Sequence, residues 1–160
     1  MRVVKRILIC MVLVALASPL MAEDKPAENT QIVFDKIKAD KKLLVAENMQ
    51  LTEKEGKAFW PVYEKYQSEL FLLRTRTLKL IKDYAASYEK MTDSTAKKLL
   101  DEYMTIETLR LKLGKAYLPQ FRTVLPDTKV VRYYQIENKI NALLYYELAA
   151  NIPLIKTDNQ

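Results

Sequence analysis

Histidine is absent from all 160 residues, and cysteine occurs once, as Cys10. The first absence excludes a Ser-His-Asp or Cys-His nucleophile system and every imidazole-based metal site. The second excludes an internal disulfide. The only 2 glycines, Gly56 and Gly114, stand far apart, so no glycine-rich loop is available to cradle a phosphate. So little glycine also predicts few turns and few strands. No apolar run reaches the roughly 20 residues that cross a bilayer as a helix. Acidic neighbours such as Asp101 and Glu102 point to different sides of a helix, so they do not form a paired-carboxylate site.

What remains is the composition of a helical protein: 49% hydrophobic and 29% charged residues, in a length suited to one domain. Residues 1–22 follow the plan of a secretory signal peptide. Arg2, Lys5 and Arg6 form a basic start, and residues 7–16 are a continuous apolar run of ten. Cleavage is expected after Ala22; a cut after Ala17 is the alternative, with Ala15 at its −3 position. An uncleaved anchor is disfavoured by the short run. Removal of 1–22 takes away three positive charges and no negative ones, lowering the net charge from +6 to +3, and Cys10 leaves with it. A periplasmic location is then expected, and an exported chain with so small a charge is not expected to bind nucleic acid. Contact with a membrane is expected only during export.

Residues 23–29, EDKPAEN, read as a flexible N-terminus, 30–155 as one helical domain, and 156–160 as a disordered polar tail. The first helix is expected over 30–48, with the lysine-rich stretch 36–42 facing water. The stretch 51–67, LTEKEGKAFWPVYEKYQ, opens the longest helix and holds the only Trp. Thr52 and Glu55 have the spacing of a capping box. Pro61 is expected to bend a continuous helix, because the apolar spacing does not reset there. Phe59, Tyr63, Tyr66, Leu70, Leu73, Thr77, Leu80 and Tyr84 recur at steps of three and four, a heptad seam. This helix is expected to reach about Tyr88.

Residues 90–95, KMTDST, read as a turn and a new cap, with Thr92 or Asp93 at the N-cap. A third helix follows to about Val124, bent at Pro119. Its seam runs through Leu99, Tyr103, Ile106, Leu113, Tyr117 and Val124, with Leu109 and Phe121 beside it. The short connection makes these two long helices antiparallel neighbours, and folding about Met91 places Arg74 and Arg76 opposite Glu107. Leu125-Pro126 stops the helix, and Asp127 is expected to cap a fourth, over 128–150. Ile152, Leu154 and Ile155 form a short apolar tail. The expected fold is therefore all-α: four helices built on a long antiparallel hairpin, elongated. Met49, Met91 and Met104 are scattered and read as packing. Tyr133-Tyr134 and Tyr145-Tyr146 are either aromatic binding surfaces or pairs with one ring inward and one outward.

Leu51-Thr52-Glu53-Lys54-Glu55 resembles the LTxxQ motif of the Spy/CpxP-like family of small periplasmic helical proteins, with Glu55 in place of Gln. Met91-Thr92-Asp93-Ser94-Thr95 is similar to the second such motif, with Met91 for Leu and Thr95 for Gln. Residues 118–137, LPQFRTVLPDTKVVRYYQIE, resemble the family's closing segment. The resemblance covers about 30–150 and implies a hairpin-based fold that pairs into a curved dimer. It implies a non-enzymatic role without cofactor. Some members are ATP-independent chaperones of the envelope stress response that hold unfolded clients through mixed basic and apolar contacts. Others restrain one envelope partner of the sensor-kinase type, and a further branch responds to metals; lack of histidine argues against a metal site here. Under the chaperone expectation the client-binding residues are Arg74, Arg76, Lys79, Lys82, Arg110 and Lys112. Leu51, Thr52, Glu55, Met91 and Thr92 serve as caps and packing.

Overall fold

The computed structural model describes residues 40–156. The segments read as a signal peptide and flexible N-terminus lie outside the described residues, as do 30–39 and 157–160. Among the described residues there is no strand, and the protein is all-α. Helix α1 covers 40–49, α2 covers Glu53–Ser87, α3 covers Asp93–Val124, and α4 covers Asp127–Asn151. A 3-10 turn, Tyr88–Lys90, follows α2.

The boundaries follow from local chemistry. Thr52 is extended and caps α2: its hydroxyl accepts from the Glu55 N–H, and the Glu55 carboxylate accepts from the Thr52 N–H at 2.8 Å. Helix α2 runs unbroken through Pro61, which forfeits one backbone hydrogen bond without starting a new helix. Thr92 caps α3, and α3 passes through Pro119 in the same way. It stops at Leu125, whose extended backbone, φ −137° and ψ 149°, is the conformation Pro126 imposes on its predecessor. Asp127 is not the cap of α4 but its first residue. The Pro126 carbonyl takes the first N–H groups, of Lys129 and Val130, at 2.9 and 3.0 Å. The Asp127 carboxylate instead accepts from Arg122 Nε at 2.9 Å.

The described chain forms two compact units. One comprises Thr52–Val130 with 154–156. Within it, contacts run backwards along α3 as they advance along α2. Phe59 meets Phe121 at 5.7 Å between ring centroids, Tyr66 meets Tyr117 at 5.2 Å, and Arg76 meets Glu102 at 2.8 Å. Phe59, Tyr63, Tyr66 and Leu70 are buried as the seam predicts. Trp60 stands edge-on to both Phe59 and Tyr63. Aromatic pairs of this kind contribute about 0.5–1.5 kcal/mol each beyond their buried area.

The seam is not buried along its whole length. Leu73, Thr77, Leu80 and Tyr84 are half-buried, and none of residues 71–105 is fully buried. On α3 the buried side chains are Ile106, Tyr117 and Phe121; Tyr103, expected in the seam, is exposed. Phe121 takes a core place because it packs on Phe59 and edge-on to Tyr66. Leu125 and Val130 complete the buried set at that end. In the apolar tail Ile152 is half-buried, whereas Leu154 is 90% exposed. Its carbonyl accepts from the Tyr88 hydroxyl at 3.1 Å, and Lys156 reaches Glu89 at 2.6 Å and the Tyr88 ring at 5.1 Å.

The other unit comprises 40–51 and Val131–Pro153. Lys41, placed by the sequence on a water-facing stretch, is buried. Its ammonium lies 2.8 Å from the Glu137 carboxylate, and both side chains are only 5% exposed. The opposite charge is what permits its burial. Arg132 Nε donates to the Asn48 carbonyl at 2.6 Å, placing a cation on the last turn of α1, where the helix dipole favours it. Tyr133 is buried and its neighbour Tyr134 half-buried, whereas Tyr145 and Tyr146 are both exposed.

Breaking the buried pair from one side strands a charge. Lys41→Met is expected to lower unfolding free energy by about 3–5 kcal/mol in urea titration, and adding Glu137→Leu to recover most of that loss. Equal losses in the single and double variants would contradict the burial of this pair.

Candidate functional site

Most of the residues expected to contact a client lie on the middle of α2, with Arg110 and Lys112 on α3. The structure commits half of them to the protein itself. Arg76 grips Glu102 with two parallel bonds, Nε at 2.9 Å and Nη2 at 2.8 Å. These bonds lower the Glu102 pKa and raise that of Arg76. The partner is Glu102, not Glu107. The register about Met91 holds, since Phe59 still meets Phe121 and Tyr66 meets Tyr117; the long Arg76 side chain instead reaches a glutamate nearer the turn. Glu107 lies 3.4 Å from Arg110 Nε on its own helix. Arg110 Nη2 also donates to Thr77 Oγ1 at 3.4 Å, a second partner for a hydroxyl that itself donates to the Leu73 carbonyl at 3.0 Å. Lys79 pairs with Asp83 one turn on.

Arg74, Lys82 and Lys112 make no ion pair among the described residues. Lys82 and Lys112 are exposed; Arg74 is half-buried, and its Nη2 is enclosed without a hydrogen-bond partner among the described residues. A buried, unpaired guanidinium N–H is costly unless something outside the chain satisfies it. Exposed apolar side chains share this half of the unit: Leu72 at 63%, Leu100 at 60% and Met104 at 58%.

The motif residues do different work. Thr52 and Glu55 form the capping box, with Leu51 half-buried before it. Thr92 accepts from the Thr95 N–H at 3.2 Å, which is half of a capping box. Thr95 has only a hydroxyl, and that hydroxyl meets the Thr92 hydroxyl at 3.0 Å. Met91 is half-buried in the extended residue between turn and cap.

Glu55 also does something its motif does not announce. Lys129, in the first turn of α4, donates to the same carboxylate oxygen, Oε2, that receives the Thr52 N–H and hydroxyl. Glu55 thus ties the start of α2 to the start of α4. The Lys129 bond is the chief reason its pKa falls from 4.5 to about 2. At the other side of the core the Tyr117 hydroxyl donates to Glu69, and that bond, with burial, pushes the phenol up to about 12. No signal local to Glu55, Lys129, Glu69 or Tyr117 shows these links, because each joins residues distant in sequence.

No group of three or more acidic, cysteine or histidine side chains among the described residues is arranged to hold a metal. No helix among them is long and apolar enough to cross a membrane. No family model, curated protein or solved structure compared with this chain matches it.

The folded pKa of Glu55 lies below its unfolded value. Its stabilising contribution is therefore complete above about pH 4.5 and lost as pH falls toward about 2. Glu55→Gln keeps an acceptor for the cap but gives up the charge facing Lys129. The variant is expected to melt lower than the parent near pH 7, with the gap closing toward pH 2. A gap that stays constant over that range in melting curves would contradict the assignment.

Proposed function

We propose that this chain is a periplasmic, non-enzymatic protein of the Spy/CpxP-like type, an ATP-independent chaperone of the envelope stress response. In this reading α2 and α3 form the long antiparallel hairpin of that family, and two copies pair. The capped starts of α2 and α3, at Leu51 to Glu55 and Met91 to Thr95, support the resemblance. The observation that carries the functional reading is residues 71–105. This segment has no fully buried residue, yet it displays Leu72, Leu100, Tyr103 and Met104 beside Arg74 and Lys82. A mixed surface of this kind attracts non-native chains through exposed apolar area. Its charges speed encounter more than they tighten the complex. Arg76, Lys79 and Arg110 support the surface from their ion pairs; Arg74, Lys82 and Lys112 are the cations left to meet a client.

The chain from Glu23 onward is expected to suppress aggregation of an unfolding client at near-stoichiometric ratio without ATP. Reversal of Lys82 and Lys112 to Glu is expected to weaken suppression several-fold, while Arg76→Glu acts mainly by lowering the melting temperature. A folded, dimeric chain that suppresses nothing would refute the chaperone reading and favour a dedicated envelope partner, to be identified by pull-down.

A further inference from the structure

Helices α1 and α4 run antiparallel within their unit. Lys41 meets Glu137 at 2.8 Å, and Asn48, further along α1, offers its carbonyl to Arg132, further back on α4. The buried side chains of α1 are Lys41, Val45 and Met49, each one turn from the next; Tyr133 and Glu137 are buried on α4. The α4 stripe continues in sequence as Ile140, Leu144 and Leu148, all half-buried, with Leu143 and Tyr145 exposed beside it. The described part of α1 begins at 40, level with Glu137, so none of it stands opposite residues 140–148.

The chain before residue 40 carries the matching pattern. Ile37 and Phe34 stand four and seven residues before Lys41; Ile140 and Leu144 stand three and seven residues after Glu137. Both sets keep the three-and-four step of a helical seam, and in an antiparallel pair they face each other in turn. The lengths agree as well. Residues 30–39, continued as helix, rise roughly 15 Å, as much as ten residues of α4 counted from Ile140. Thr30 then stands opposite Leu148, where α4 has only three residues left before Asn151, and the polar run EDKPAEN begins immediately before Thr30. The segment is continuous with α1, so no loop has to close before it can dock. An occupant from outside the chain competes against that high effective concentration.

We propose that residues 30–39 extend α1 and dock along α4 from Ile140 to Leu148, with Phe34 against Leu144 and Ile37 against Ile140. The segment thereby occupies the apolar stripe of α4 and withholds it from non-native chains and from a second copy. The inference does not depend on the chaperone reading. It identifies one apolar stripe that is not open to a client.

The full chain carrying Cys10→Ser has no other thiol. With Phe34→Cys and Leu144→Cys added, it is expected to close a disulfide within one chain on mild oxidation, read as faster migration in a non-reducing gel and loss of both free thiols. Lys36→Cys with Leu144→Cys puts the first thiol on the far side of the helix and is expected to close at least about tenfold more slowly. In a second measurement, Phe34→Ser is expected to speed hydrogen exchange over 140–148 at least about tenfold, with the rates around Phe59 and Phe121 unchanged. Equal closure of the two cysteine pairs, or no closure of the Phe34 pair in a folded chain, would overturn the proposal. So would disulfides formed between copies in place of within one, or unchanged exchange over 140–148 in Phe34→Ser.

Discussion

Two helices lying side by side bury only the stripe along which they face each other, and a domain core needs a further layer over that stripe. Much of the Thr52–Val130 unit follows from this constraint. Where α2 and α3 are joined by Leu125 and Val130, large side chains disappear from solvent: Phe59, Tyr63 and Phe121 are buried. Further along the same two helices the seam continues in sequence, but its members are only half-buried. One end of the unit is therefore held by an aromatic cluster, and the other is held largely by polar links. Those links are Arg76 to Glu102, Arg110 to Thr77, and the tail clasp of Leu154 and Lys156 on Tyr88 and Glu89.

The same division sorts the charges. Cations near the seam are spent on structure. Arg76 is bidentate and Arg110 is shared between Glu107 and Thr77; within the other unit, Lys41 is neutralised where it is buried. Exposed pairs such as Lys79 with Asp83 add little stability, since both groups remain solvated. Lys82, Lys97, Lys112 and Lys115 are exposed and make no ion pair among the described residues, which leaves them to attract something else. Stability at one end and accessible apolar and basic surface at the other are thus two consequences of one packing problem.

What the sequence made legible was local. The Thr52 cap, the stop at Leu125-Pro126, the passage of α2 through Pro61 and the inward positions Phe59 to Leu70 all depend on residues within one or two turns. What it hid was set by distance in space. Glu102 replaces Glu107 as the partner of Arg76 because a long guanidinium side chain reaches along the helix toward the turn, and Glu107 is taken by Arg110. Lys41 is buried because Glu137 arrives from far along the chain, and Glu55 gains Lys129 for the same kind of reason. Tyr103 keeps a seam spacing but is exposed, because periodicity says which face is inward and not whether anything lies across it. The basic cluster was visible as composition. Which of its members were already committed was not.

Hydrogen exchange read peptide by peptide, with and without an unfolding client and without ATP, tests whether residues 71–105 are the client-binding surface. Slow exchange is expected around Phe59, Tyr117 and Phe121 in both conditions. Fast exchange is expected over residues 71–105 in the free protein, with protection appearing there when client is present. Client-induced protection confined to the aromatic end, or none anywhere at saturating client, would contradict that role for 71–105.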